Sequence, residues 1–98
     1  MASEKGYDPW QALANAIVAA AVEEYRECRY KIFTIQDLLK TTDWTDQESV
    51  RQRAERALER QIERKDDLLD FFYSDWYDTL TTFDGDKLVE LLEAEEIE

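Results

Sequence analysis

The chain has no histidine, one cysteine, two glycines and one proline, and each scarcity removes a class of chemistry. Without histidine it lacks the commonest general base and the commonest zinc ligand together. Ser3, Ser49 and Ser74 therefore have no imidazole to activate them. A lone Cys28 excludes an intrachain disulfide and a thiolate metal cluster, and reads as a small core residue rather than a reactive thiol. Gly6 and Gly85 are too few and too far apart for a loop that cradles phosphates. Asp84, Asp86 and Glu95 fall at positions 1, 3 and 12 of a calcium loop, but Leu88 and Val89 occupy positions that need a ligand and a glycine, so the match reads as coincidence. With this many carboxylates, close pairs arise by chance and carry little information. The expectation is a protein that is not an enzyme and holds no cofactor and no metal.

Long apolar runs are also missing. No segment approaches the ~20 residues that cross a bilayer, and Met1-Ala-Ser-Glu-Lys5 lacks the basic-then-apolar pattern of a signal peptide. A cytoplasmic chain with no membrane partner is expected.

What is present is apolar and acidic material in an uneven layout. Hydrophobic residues make up 44% of the 98 positions, and 12 are aromatic, too many for a disordered acidic tail. A chain of this length buries about two-thirds of its unfolded surface as one domain. The net charge is −12. Residues 1–65 carry 12 acidic and 11 basic side chains, whereas residues 66–98 carry 12 acidic side chains against Lys87 alone.

The hydrophobic spacing is helical. Asp8-Pro9-Trp10-Gln11 has the form of a helix start, with Asp8 as N-cap, Pro9 in the first helical position and Gln11 where a capping box places Glu or Gln. Trp10, Leu13, Ile17, Ala20 or Ala21, Tyr25, Cys28 and Ile32 then recur at steps of three and four. Helix 1 is expected over about 9–31, in a central position, with neighbours packed against Ala16, Ala20 and Ala21. Thr34-Ile-Gln-Asp37 offers a second cap, so Ile35, Leu38 and Leu39 belong either to a short separate helix or to a continuation. Thr45-Asp-Gln-Glu48 has the form of a capping box for helix 2, whose period runs from Val50 through Trp76 to about residue 79, with a kink near Ser74. Asp84 caps a last helix carrying Leu88, Val89, Leu91 and Leu92. No alternating strand pattern or hairpin turn is present. The fold expected is all-α, a small bundle of three to four helices with one long central or second helix, in a single domain over 1–98 with loose ends at 1–8 and 94–98.

Two charged surfaces stand out. Arg56, Arg60 and Arg64 form a row on helix 2 beside Glu55, Glu59 and Glu63, with opposite charges meeting at steps such as Arg56 to Glu59. The row is either a solvated, salt-bridged face or a basic strip that contacts a partner or folds back onto the acidic part. The second surface carries Asp66, Asp67, Asp70, Asp75 and Asp78 on the second half of helix 2, then Asp84, Asp86, Glu90 and Glu93 beyond the turn, interleaved with Tyr73, Tyr77 and Phe83. Helix neighbours stand ~5–6 Å apart, near the spacing of phosphates along a nucleic-acid strand. Such carboxylates either solubilise a small protein or present a nucleic-acid-binding protein with the field it meets on DNA.

Ala14-Asn-Ala-Ile-Val-Ala-Ala-Ala-Val-Glu-Glu-Tyr-Arg26 and Phe71-Phe-Tyr-Ser-Asp-Trp-Tyr-Asp-Thr-Leu-Thr-Thr-Phe-Asp-Gly-Asp-Lys-Leu88 resemble blocks found in small acidic proteins of bacterial phages and integrative mobile elements. The resemblance covers these two segments; the Arg/Glu helix departs from the pattern. It implies a mobile-element origin without catalytic residues, and an anti-CRISPR role in which the protein imitates DNA against an RNA-guided nuclease of the bacterial host. The partner expected is a protein with a basic surface, met by the nine acids named above, with no direct binding to nucleic acid. The alternative is a helical adaptor or assembly module of a phage or mobile element. The chain itself is expected as a monomer or a homodimer.

Overall fold

The computed structural model describes residues 8–97 and contains four helices and no strand among them. Helix α1 spans Pro9–Thr41, α2 Glu48–Phe72, α3 Asp75–Leu80 and α4 Gly85–Ala94. The expected all-α bundle is the observed fold. The part of the expected loose N-terminal end at 1–7 lies outside the described residues.

Helix α1 starts as its sequence dictates. The Asp8 carboxylate accepts the Trp10 backbone N–H at 3.0 Å, and Pro9 fills the first position. Gln11 does not complete the box; its amide donates to the Asn15 side chain at 2.9 Å instead. Nothing then interrupts the helix. No glycine or proline occurs between Pro9 and Gly85, and Thr34 remains in an intact turn, so α1 runs ten residues beyond the expected end at 31. It stops where Thr41 Oγ1 donates to the Asp37 carbonyl at 2.8 Å and the Trp44 indole N–H donates to the Leu39 carbonyl at 3.2 Å. The indole thereby satisfies a carbonyl of the last turn, where intrahelical donors run out.

The connection to α2 differs from the expected capping box. Thr45 turns back, with its N–H and hydroxyl both donating to Asp43 Oδ1 at 3.0 and 2.7 Å, and stands three residues before the helix, whose cap position falls at Gln47. Those two bonds hold the Asp43 carboxyl below its usual range. Asp46 takes a left-handed conformation at φ 64°, and α2 begins without a side-chain cap at Gln47.

Helix α2 ends at Phe72 rather than kinking and running to about 79. Ser74 makes both the stop and the restart: its hydroxyl donates to the Phe71 carbonyl at 2.6 Å and accepts the Tyr77 N–H at 3.2 Å, capping α3. A serine hydroxyl that offers the backbone a local partner competes with helix continuation. Beyond α3, Asp84 Oδ1 accepts the Asp86 N–H at 3.0 Å and caps α4 as expected. Gly85 is fixed by space, since a Cβ there would lie 2.1 Å from the Phe72 carbonyl oxygen.

The core gathers Tyr25 and Cys28 of α1, Leu68 and Phe72 of α2, Tyr77 of α3, and Val89 and Leu92 of α4. The Phe72 ring meets Tyr25 and Tyr77 edge-on, each with centroids 5.8 Å apart, the arrangement that aromatic quadrupoles favour. Of the three alanines expected against neighbours only Ala21 packs on the core, Ala16 and Ala20 are exposed, and the fully buried alanine is Ala14.

The core occupies one end of the molecule. No residue from 29 to 67 is buried, and the chain measures 68 × 24 × 23 Å, with a radius of gyration of 18.2 Å against ~13 Å for a compact domain of this length. The C-terminal half of α1 and the N-terminal half of α2 thus form a two-helix arm projecting from a four-helix head.

Candidate functional site

The nine acids singled out in the sequence are all exposed on the head, but not as one row. The break at Tyr73 and Ser74 leaves Asp66, Asp67 and Asp70 on α2 and moves Asp75 and Asp78 onto α3. The chain turn then brings Asp78 beside Asp84 and Asp86 around an open depression of about 220 Å³ floored by Phe72, Tyr73 and Gly85. A neighbouring depression of about 460 Å³ carries Asp84, Asp86, Glu90 and Glu93, again with Tyr73. Asp66, Asp67, Asp70 and Asp75 border neither.

Eight of the nine differ in kind from the ninth. Among the described residues Asp66, Asp67, Asp70, Asp75, Asp78, Asp84 and Asp86 have no ion-pair partner, and Glu90 meets only Lys87, at 3.5 Å on the next turn. Glu93 is a structural carboxylate. It accepts the Tyr25 hydroxyl, lies 3.0 Å from Lys65 Nζ and 3.6 Å from Arg29 Nε, and so joins α4 to both long helices. Burial pushes its pKa up, but the hydrogen bonds from Tyr25 and Lys65 and the charges of Lys65 and Arg29 outweigh this and hold it below the usual range. Burial and the same carboxylate push the Tyr25 hydroxyl far above its ordinary value.

The C-terminal segment expected as a loose end begins in the same network. Glu95 receives Arg26 through Nε and Nη2 at 2.9 and 2.8 Å, and Arg29 Nη1 donates to the carbonyls of Leu92 and Glu95 at 2.6 and 3.1 Å. Two cations of α1 therefore cover the end of α4, where free carbonyls favour positive charge.

The Arg/Glu row is organised differently from its expected ladder. Arg64 pairs with Glu24 on α1, and Arg51 with Glu55 at 3.4 Å. Arg56 and Arg60 make no ion pair among the described residues, so the expected Arg56–Glu59 contact does not form. Nor does the strip fold back as a whole onto the acidic end; α2 is one continuous helix along the rod, and only Lys65, at its inner end, reaches an acid of α4.

Sequence periodicity missed one feature by assigning it to the core. Trp10 and Trp76 are 47% and 50% exposed and form a T-shaped pair, with centroids 6.4 Å apart and planes at 64°. Both carry the helical spacing of buried residues. Trp10, however, lies in the first turn of α1, and Trp76 is placed beside it only by the break before α3. Asp75 adjoins the pair in sequence, and Asp78 lines a depression of about 170 Å³ together with Trp10.

Among the described residues no group of three His, Cys, Asp or Glu side chains is arranged to hold a metal ion, and no helix is long and apolar enough to cross a membrane. The head offers a field and a contact surface. No family model matches the chain, and no curated protein and no solved structure matches it.

Proposed function

We propose that this protein is an acidic inhibitor of the anti-CRISPR type, carried by a phage or mobile element into the bacterial cytoplasm. It acts there as a DNA mimic, covering the basic nucleic-acid-binding surface of an RNA-guided nuclease and blocking DNA binding. The observation that carries the reading is the unbalanced charge of the head. Residues 66–98 hold 12 acids and one base, Lys87, and that base is already spent on Glu90. Among the described residues seven of these aspartates have no internal cation, and such a surface steers and competes for the Lys and Arg side chains that otherwise hold phosphates. The resemblance of the Ala14–Arg26 and Phe71–Leu88 blocks to small acidic mobile-element proteins supports the same reading.

The test is charge reversal. Replacing Asp67, Asp70, Asp75 and Asp78 with Lys abolishes inhibition of DNA binding by a susceptible RNA-guided nuclease, while circular dichroism stays helical, because exposed substitutions usually change stability by less than ~0.5 kcal/mol each. Raising the salt weakens the wild-type complex. Full inhibition by the reversed variant, or no inhibition by wild type across a panel of such nucleases, sinks the proposal.

A specific observation favours the second reading, a helical adaptor of a phage or mobile element. Tyr30, Phe33, Leu38, Val50 and Ile62 are half-exposed along the arm, a larger apolar display than a charge mimic needs. An adaptor binds its partner through these residues and is indifferent to the aspartate reversal.

A further inference from the structure

The Trp10–Trp76 pair adjoins a depression of a different character from the two acidic ones. It is lined by Trp10, Gln11, Asp78 and residues 79–82 at the end of α3. Helix α3 closes when the Thr81 N–H donates to the Tyr77 carbonyl at 3.1 Å. After that bond no backbone donor among the described residues serves the carbonyls of Asp78, Thr79 and Leu80, the orphan acceptors that every helix end leaves. The Asp78 carboxylate has no ion-pair partner among the described residues. The half-exposed Trp10 indole, packed against Trp76, thus shares one depression with Asp78 and the carbonyl end of α3.

We propose that this depression is a docking site for an arginine side chain presented by a basic protein surface. The occupant follows from the lining. A guanidinium is planar and donates five N–H bonds in fixed directions. It is also weakly hydrated enough to lie on an indole face while its edge meets a carboxylate. A lysine ammonium satisfies the carboxylate but gains less from the aromatic wall. Tryptophan is also among the residues enriched at the energetic centres of protein interfaces. The inference rests on the reading of a basic partner and sharpens it: the acids attract the partner, and Trp10 with Asp78 selects arginine within it.

The full-length protein with Trp44→Phe, which removes the indole at the far tip of the arm, tests this by tryptophan fluorescence and by indole N–H resonances of Trp10 and Trp76. The probe is a short glycine-spaced peptide carrying two arginines, compared with the same peptide carrying two lysines. The arginine peptide is expected to shift both indole signals and to bind about three- to tenfold more tightly than the lysine peptide, the range that cation–π contact supplies. Trp10→Leu and Asp78→Asn each remove that preference, and Asp78→Asn does so without touching the aromatic pair. Equal affinity for the two peptides, or indole signals that do not move, overturns the proposal. A peptide preference without inhibition of any nuclease overturns only the function proposed above. Inhibition without a peptide response at Trp10 overturns only this site.

Discussion

The Tyr25 hydroxyl donates to the Glu93 carboxylate across 68 positions of sequence, joining the middle of α1 to the end of α4. Around that bond, Lys65 lies 5.6 Å over the Tyr25 ring and 3.0 Å from Glu93, so one carboxylate and one phenol bring three of the four helices together. The Tyr25 ring is fully buried, and its polar end reaches the one acid of the head that has several internal partners.

The first prediction is a pH dependence localised to Glu93. Its folded pKa is depressed below the ordinary 4.5, so the stability it contributes is fully present above that value and is lost as pH falls through the folded one. Urea midpoints of wild type and Glu93→Gln should differ by a constant amount above about pH 5 and converge below it. Tyr25→Phe should cost ~1 kcal/mol, the usual net worth of a hydrogen bond. A gap between wild type and Glu93→Gln that persists unchanged at pH 3 refutes the assignment.

Gly85→Ala is the second prediction. The added Cβ meets a backbone oxygen at 2.1 Å, which cannot rotate away as a side chain does, so α4 must shift off the end of α2. The expected loss is ~1–3 kcal/mol or more, the scale of overpacking, together with weaker near-ultraviolet dichroism from the Phe72 and Tyr77 cluster. Lys87→Ala, on the same helix but exposed, is the control and should stay within ~0.5 kcal/mol of wild type.

Those two sites also mark what the sequence discloses. Asp8 and Asp84 were legible as caps because a cap is a local bond between a carboxylate and an N–H two residues on. Thr45 had the right spacing for one, but it bonds back to Asp43 and α2 starts two residues later than that spacing requires, and spacing alone does not show where the first turn begins. The Ser74 hydroxyl likewise ends α2 through a bond to Phe71, a choice invisible in a periodic pattern that continues past it. Exposure of the nine acids followed from their charge, whereas the separate role of Glu93 depends on Tyr25 and Lys65, which only the tertiary fold brings near. Trp10, Ala16 and Ala20 were misplaced for a related reason: helical phase says which residues share a face but not where along a helix its neighbours stop.

A third prediction concerns Cys28. The residue is 3% exposed, and burial, followed by the charge of Glu24, pushes its thiol pKa up, so both access and thiolate fraction oppose reaction. Ellman's reagent at pH 8 should modify the native protein only at the rate of opening, and modify it at once in denaturant. Immediate stoichiometric labelling of native protein contradicts the packing assigned to α1.

The last prediction follows from the division between head and arm. Buried apolar contacts set local stability, and helices draw most of theirs from tertiary packing of one face rather than from intrinsic propensity. In the head, Tyr25, Cys28, Leu68 and Phe72 are buried, whereas across residues 29–67 no side chain is buried at all. Amide hydrogen exchange should therefore be most protected at about residues 18–28 of α1 and 66–72 of α2, and should weaken along both helices toward the Thr42–Gln47 turn. Because each ~1.4 kcal/mol of local stability is tenfold in exchange, the arm should exchange at least ~tenfold faster than the head at micromolar protein concentration. Protection in the arm that rises with concentration, alongside a doubled mass in light scattering, would identify Phe33, Leu38 and Ile62 as a homodimer contact. Uniform protection from Pro9 to Thr41 at all concentrations contradicts the separation into head and arm, because α1 would then be stabilised evenly along a length on which the core touches only part.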